Sequence, residues 1–224
     1  MAHCKGTFVT IEGLDGCGKS TQLEKLAAVL RADGCDVVVT REPGGTVMGD
    51  KIRALLLDSA SSGLSPWAEM ALMFASRAQH LKEVILPALE TGRVVLCDRF
   101  TDSTEAYQGS GRRLGSDPVL TLHRILCGNL QPDLTILMDS DVSASVARAR
   151  RRNQSRSPDA ADENRFEQES RAFFERVRSA YLAIARREPQ RFFVVDARRT
   201  PDVVHQDIVQ AVRERLGVRA RTSA

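Results

Sequence analysis

No stretch of this sequence is apolar for long enough to cross a bilayer, and the first residues hold no signal-peptide core. A membrane partner is therefore not expected, and the expected location is the cytoplasm. Five cysteines (Cys4, Cys17, Cys35, Cys97, Cys127) are an odd number without C-x-x-C spacing. Neither a disulfide framework nor a zinc site is indicated. An excess of one charge is also missing, since 32 basic and 29 acidic side chains leave only +3. That is too mild for a nucleic-acid partner and suits an enzyme handling small anions. There are no internal repeats and no linker long enough to divide the chain. One α/β domain is expected over 1–217, with 218–224 as a frayed tail.

What is present concentrates near the N-terminus. Thr7–Glu12 is a β-branched and aromatic run, and Gly13-Leu14-Asp15-Gly16-Cys17-Gly18-Lys19-Ser20-Thr21 follows it. Leu23, Leu26, Ala27 and Leu30 then recur at helical spacing. Gly13 and Gly18 bracket four residues ahead of Lys19-Ser20, which satisfies G-x-x-x-x-G-K-[ST] in full. Glycines let the backbone point several N–H groups into one concavity, and the helix start adds partial positive charge. Gly13–Thr21 is thus the expected ATP phosphate cradle. Lys19 would neutralise the terminal phosphates, and the Ser20 hydroxyl would ligate Mg²⁺. No N-K-x-D segment occurs, which argues against a guanine-nucleotide switch and leaves a small-molecule kinase as the strongest reading.

Further apolar runs at 36–40, 94–97, 134–138 and 192–195 alternate with helical patterns, among them 67–89, 143–152, 165–187 and 201–216. Alternation of this kind predicts a parallel sheet covered by helices on both faces. Four strands end in carboxylates: Glu12, Asp98, Asp139 and Asp196. Ligands of open α/β sheets bind beyond the carboxyl ends of the strands. Asp98 is the preferred second Mg²⁺ ligand; Asp139 and Asp196 read equally well as helix caps.

Four segments, Glu12–Thr21, Thr40-Arg-Glu-Pro-Gly-Gly-Thr46, Asp98-Arg99-Phe100 and Ala106-Tyr-Gln-Gly109, follow one another in the order and spacing of thymidylate kinases. Arg165-Phe-Glu-Gln-Glu-Ser170 resembles the stretch after that family's lid, and the resemblance runs from about residue 7 to 216. It implies a P-loop kinase with a five-stranded parallel sheet flanked by helices, and a short lid near 150–165. It also implies a homodimer that transfers the ATP γ-phosphoryl to dTMP with Mg²⁺. A monophosphate oxygen has a pKa of about 6 and needs no general base, unlike a sugar hydroxyl.

Residue by residue, the resemblance assigns Asp15 to the sugar 3′-hydroxyl and Arg99 to the dTMP phosphate, a task its bidentate fork suits. Arg77 and Gln108 face the thymine edge with Thr104 beside them, and Tyr107 fills the place of a ribose 2′-hydroxyl. Glu42 and Arg53 are further acceptor-side polar residues, and Asp196–Thr200 borders the adenine. The family carries an aromatic four residues before the base-reading arginine. Here that position is Met73 and Phe74 follows, so both are candidates for stacking on the base. The phosphate loop lacks an arginine, so the lid should supply one from Arg152, Arg156 or Arg165. Two other readings stay open: a kinase of UMP, CMP or dUMP, and an ATP-binding regulator without turnover.

Overall fold

The computed structural model describes residues 6–154 and 165–217. Its five strands are β1 Thr7–Glu12, β2 Val37–Arg41, β3 Val94–Asp98, β4 Leu134–Asp139 and β5 Phe192–Asp196. They form one all-parallel sheet in the order β2-β3-β1-β4-β5, as the alternation predicts. Successive side chains leave opposite faces. Val9, Ile11, Val94 and Leu96 pack with α1 (Lys19–Ala32) and α9 (Pro201–Leu216), while Phe8, Val95 and Cys97 pack with α3 (Pro66–His80). Both faces are therefore apolar, the condition under which strands read as continuous apolar runs.

The sheet order positions the site. β1 lies between β3 and β4, with Ile11 opposite Asp98. The loops leaving β1 and β3 therefore emerge side by side at the carboxyl edge, where the strand order reverses direction.

Helix starts follow their caps. Thr46 caps α2 (Val47–Leu57), its hydroxyl accepting from the Gly49 amide at 2.9 Å, and Ser65 caps α3 with Pro66 at the first helical position. Three expectations are corrected. The single helix over 67–89 is α3, a π-helical segment Leu81–Ile85, and α4 (Leu86–Glu90). The sequence over 103–128 reads as mostly helical with an interruption at Gly109-Ser110-Gly111 and a restart at Ser116; instead α5 (Thr101–Thr104) continues through those glycines as a π-helical segment, Glu105–Gly111, before α6 (Ser116–Cys127). The helix expected from Arg165 begins only at Arg171, where Ser170 caps α8 (Arg171–Arg187). α7 spans Val142–Gln154. Most of the expected lid, with Arg156, and the tail 218–224 lie outside the described residues.

Candidate active site

Gly18 stands at the N-cap of α1 with φ 101°, and no side chain caps the helix. The first amides of α1 remain available to an anion. At Gly16 (φ 79°) a Cβ would come within 2.2 Å of the Ser145 carbonyl, so only glycine lets α7 lie this close over the loop. Lys19 is buried, and its Nζ donates to the carbonyls of Gly13 (3.1 Å) and Leu14 (2.9 Å). Asp15, Gly16, Gly18, Lys19, Ser20 and Thr21 line an open pocket that also takes in Asp98, Arg99 and Arg148. Leu14 and Cys17 turn their side chains into the core. Burial pushes the Cys17 thiol up, as suits an unreactive filler.

Asp98 Oδ1 is buried without a hydrogen-bond partner, and Asp98 shares the pocket with Ser20. A carboxylate and a hydroxyl are hard oxygen donors, and Mg²⁺ binds through one or two such groups plus substrate phosphates. The residues fit the ion. Asp139 is occupied instead by Arg178, which donates to both carboxylate oxygens at 2.7 and 2.8 Å, and Asp196 by Arg198 in the same way.

Arg99 leaves β3 at φ 74°, a left-handed conformation that a side-chain-bearing residue rarely holds and that marks functional turns. Both ends of its fork are positioned by protein groups. Nη1 donates to Ser103 Oγ (2.9 Å) and Tyr181 OH (3.0 Å), and Nη2 to Asp15 Oδ1 (2.8 Å) and Tyr107 OH (3.2 Å). Arg99, Asp15, Glu42 and Arg53 line both the phosphate pocket and a second pocket. They form the seam between the two.

Beneath Arg99 lies Glu12, which the sequence marked only as a strand end. Its buried carboxyl accepts from the Phe100 amide (2.7 Å), Ser103 Oγ (2.5 Å) and Tyr181 OH (3.0 Å). Burial, reinforced by the charge of Asp102, raises it to about 7. A raised folded-state value means that Glu12 stabilises the fold below its ordinary value of 4.5 and that this contribution is lost as pH rises through about 7. On the order of 3 kcal/mol should vanish over that interval. Urea unfolding of wild type and Glu12→Gln at about pH 5 and pH 8 reads the effect. The wild type should lose more stability than the variant, and parallel declines would remove Glu12 as the cause.

The second pocket holds the base-side candidates: Met73, Arg77, Thr104, Tyr107 and Gln108, with Phe166 also in its wall. Arg77 Nε donates to Glu42 Oε2 (2.6 Å), and Nη2 donates to the Phe100 carbonyl (3.2 Å) and Thr104 Oγ1 (2.9 Å). Its Nη1 is buried with no partner. Of the two stacking candidates, Met73 reaches this wall and Phe74 does not. Phe74 lies wholly in the core with Met70 and Phe100, its ring centroid 4.9 Å from the Arg77 guanidinium carbon. It supports Arg77 from below.

Arg165 is likewise not brought to the phosphates. It is buried, lines neither pocket, and donates through Nη1 to Glu69 Oε2 at 2.7 Å. The arginine of that region found in the phosphate pocket is Arg148, whose Nε donates to the Gly16 carbonyl at 2.7 Å. Arg148 is not among the arginines the sequence points to, because what brings it in is the close packing of α7 on Gly16. The side chain of Arg152 lies outside the described residues. Asp196–Thr200 runs from the last residue of β5 to the N-cap of α9, and Asp196 is bonded there within its own turn. Among the described residues no helix is long and apolar enough to cross a membrane, and no cluster of three His, Cys, Asp or Glu side chains suits a metal ion.

A family model described as thymidylate kinase matches residues 11–208. The thymidylate kinase of Pelobacter propionicus is 49% identical over 212 residues, 94% of this chain and 96% of that one. That of Trichlorobacter lovleyi is 50% identical over 211 residues, 94% of this chain and 99% of its own. The crystal structure of thymidylate kinase from Ehrlichia chaffeensis is similar with a TM-score of 0.72 at 31% identity. The match covers 92% of this chain and 98% of that one.

Proposed function

Because the chain belongs to the thymidylate kinase family, it phosphorylates dTMP to dTDP with ATP and Mg²⁺, and we propose that Arg99 is the clasp on the acceptor phosphate. The carrying observation is the shared wall: Arg99 and Asp15 belong to both pockets, so two nucleotides entering from opposite ends meet at the Arg99 fork. Lys19 and the amides of Gly13–Gly18 hold the donor phosphates, and Arg148 lies over them from α7. Ser20 and Asp98 would hold Mg²⁺, which would neutralise negative charge on the donor phosphates. The acceptor oxygen is already ionised near neutral pH and attacks without a base. The donors and charges around it are fixed before the reaction, the condition under which electrostatic stabilisation is largest.

The other roles are those the family resemblance implies, and the pocket lining is compatible with them. Asp15 takes the 3′-hydroxyl, and Tyr107 closes the sugar site where a 2′-hydroxyl would project. Met73, Pro43 and Phe166 supply the apolar walls for the base. The unpartnered Nη1 of Arg77 is a donor awaiting a carbonyl oxygen. Thymine and uracil present one at C4, whereas cytosine presents an amino group. The CMP reading therefore meets donor against donor. In an ADP-release assay over a nucleotide panel, dTMP is the expected best acceptor, with CMP and dCMP at least about a hundredfold lower in kcat/KM. Preference for a cytosine nucleotide, or no turnover at all, would refute the assignment.

We also propose a cytoplasmic homodimer. α3 packs between α2 and α6, and exposed apolar side chains lie on all three, including Met48, Leu55, Trp67, Ile125 and Leu126. Sedimentation of the purified chain as a monomer would refute it.

A further inference from the structure

Glu69 is a carboxylate that the transfer itself does not use, yet it lies fully buried on α3. Gln108 Nε2 donates to its Oε1 at 2.7 Å. Arg112 Nε donates to the two oxygens at 3.1 and 3.3 Å, and Arg165 Nη1 donates to Oε2 at 2.7 Å. Flanked by two guanidinium groups, these oxygens only accept. A primary amide has two ends of nearly equal shape, and the fixed partner decides which end faces where. Glu69 takes the NH₂ end of Gln108, and Gln108 lines the base-side pocket. The carbonyl end is left for that pocket.

We propose that Glu69 is a positioning residue that sets base specificity, because by holding the Gln108 amide nitrogen it presents Gln108 Oε1 to the base as an acceptor. The inference rests on the reading of this pocket as the dTMP site. With Arg77 Nη1 as a donor nearby, the wall offers a donor and an acceptor. Thymine offers the complement, the C4 carbonyl and the N3–H. Cytosine offers an amino group and a bare N3, and is mismatched at both positions. Arg112 and Arg165 complete the device by compensating the buried charge of Glu69.

Glu69→Gln tests this directly. An amide at 69 satisfies Arg112 and Arg165 with its carbonyl and gives its NH₂ to Gln108, which then turns its own NH₂ toward the base. The expected result is a fall of about tenfold or more in kcat/KM for dTMP, carried by KM. The preference for dTMP over dCMP should fall by a similar factor. Glu69→Asp, which keeps an acceptor-only partner, should retain the preference even where both rates drop. Equal losses for both nucleotides in Glu69→Gln, with the preference intact, would overturn the proposal and leave Glu69 a structural counter-charge. Absence of dTMP turnover in the wild type would instead refute the underlying site.

Should Glu69→Gln fail to fold, the wild-type Gln108 side-chain amide gives the answer by NMR, assigned through its loss in Gln108→Met. Its protons should exchange slowly both without and with dTMP. Protection that appears only when dTMP binds would mean that the NH₂ faces the base, against the proposal.

Discussion

Lys19→Ala is expected to lower kcat by about 10²–10³ while the protein stays folded, the loss of about 3–4 kcal/mol seen when one preorganised donor is removed from a reacting centre. The structure explains why the effect is functional rather than structural. Lys19 Nζ is held by two backbone carbonyls, those of Gly13 and Leu14, and lies a loose 3.9 Å from the Asp15 carboxylate. Its charge is thus positioned in the phosphate pocket without being tightly paired. The helix it opens is anchored elsewhere, by Leu23, Leu26 and Leu30 in the core. Steady-state turnover should collapse, and thermal unfolding should shift by only a few degrees, about what a 1 kcal/mol change produces in a domain of this size. Near-normal turnover would show that the loop is not the donor site.

Local chemistry made much of this molecule legible before any coordinates. The glycine pattern before Lys19 and the apolar runs before Glu12, Asp98, Asp139 and Asp196 are encoded by neighbours in sequence. The strands fall within a residue of where those runs put them. What stayed hidden depends on partners far along the chain. Gly109–Gly111 reads as a helix breaker, yet the helix passes through it as a wider π-helical segment, with Gly111 set against the Phe173 ring, where a Cβ would clash at 2.6 Å. Met73 and Phe74 differ by one helical step, about 100°, and only the packing of α3 on β3 decides that Phe74 goes inward. Arg165 is kept from the phosphates, and Arg148 brought to them, for the same reason. Glu69, 96 positions away, claims the first, and α7 lying on Gly16 brings in the second.

Arg99→Lys is the complementary experiment on the acceptor side, and kcat/KM for dTMP is expected to fall about 10²–10³. The substitution keeps the positive charge and leaves the left-handed backbone at this position no more strained than before, since both residues carry a Cβ. Only the fork is lost. Arg99 spans Ser103 and Tyr181 with one nitrogen, Asp15 and Tyr107 with the other, and a single ammonium cannot reach all four. The scaffold beneath does not depend on it, because Glu12 still accepts from the Phe100 amide, Ser103 and Tyr181. The donor side should be affected far less, because Lys19 and the loop amides hold the donor phosphates, and ATP affinity, measured without acceptor, should fall by much less than kcat/KM for dTMP. If dTMP turnover survived in Arg99→Lys, or if ATP affinity fell in parallel with it, Arg99 would be a general cation of the cleft and not the group that aligns one phosphate against the other.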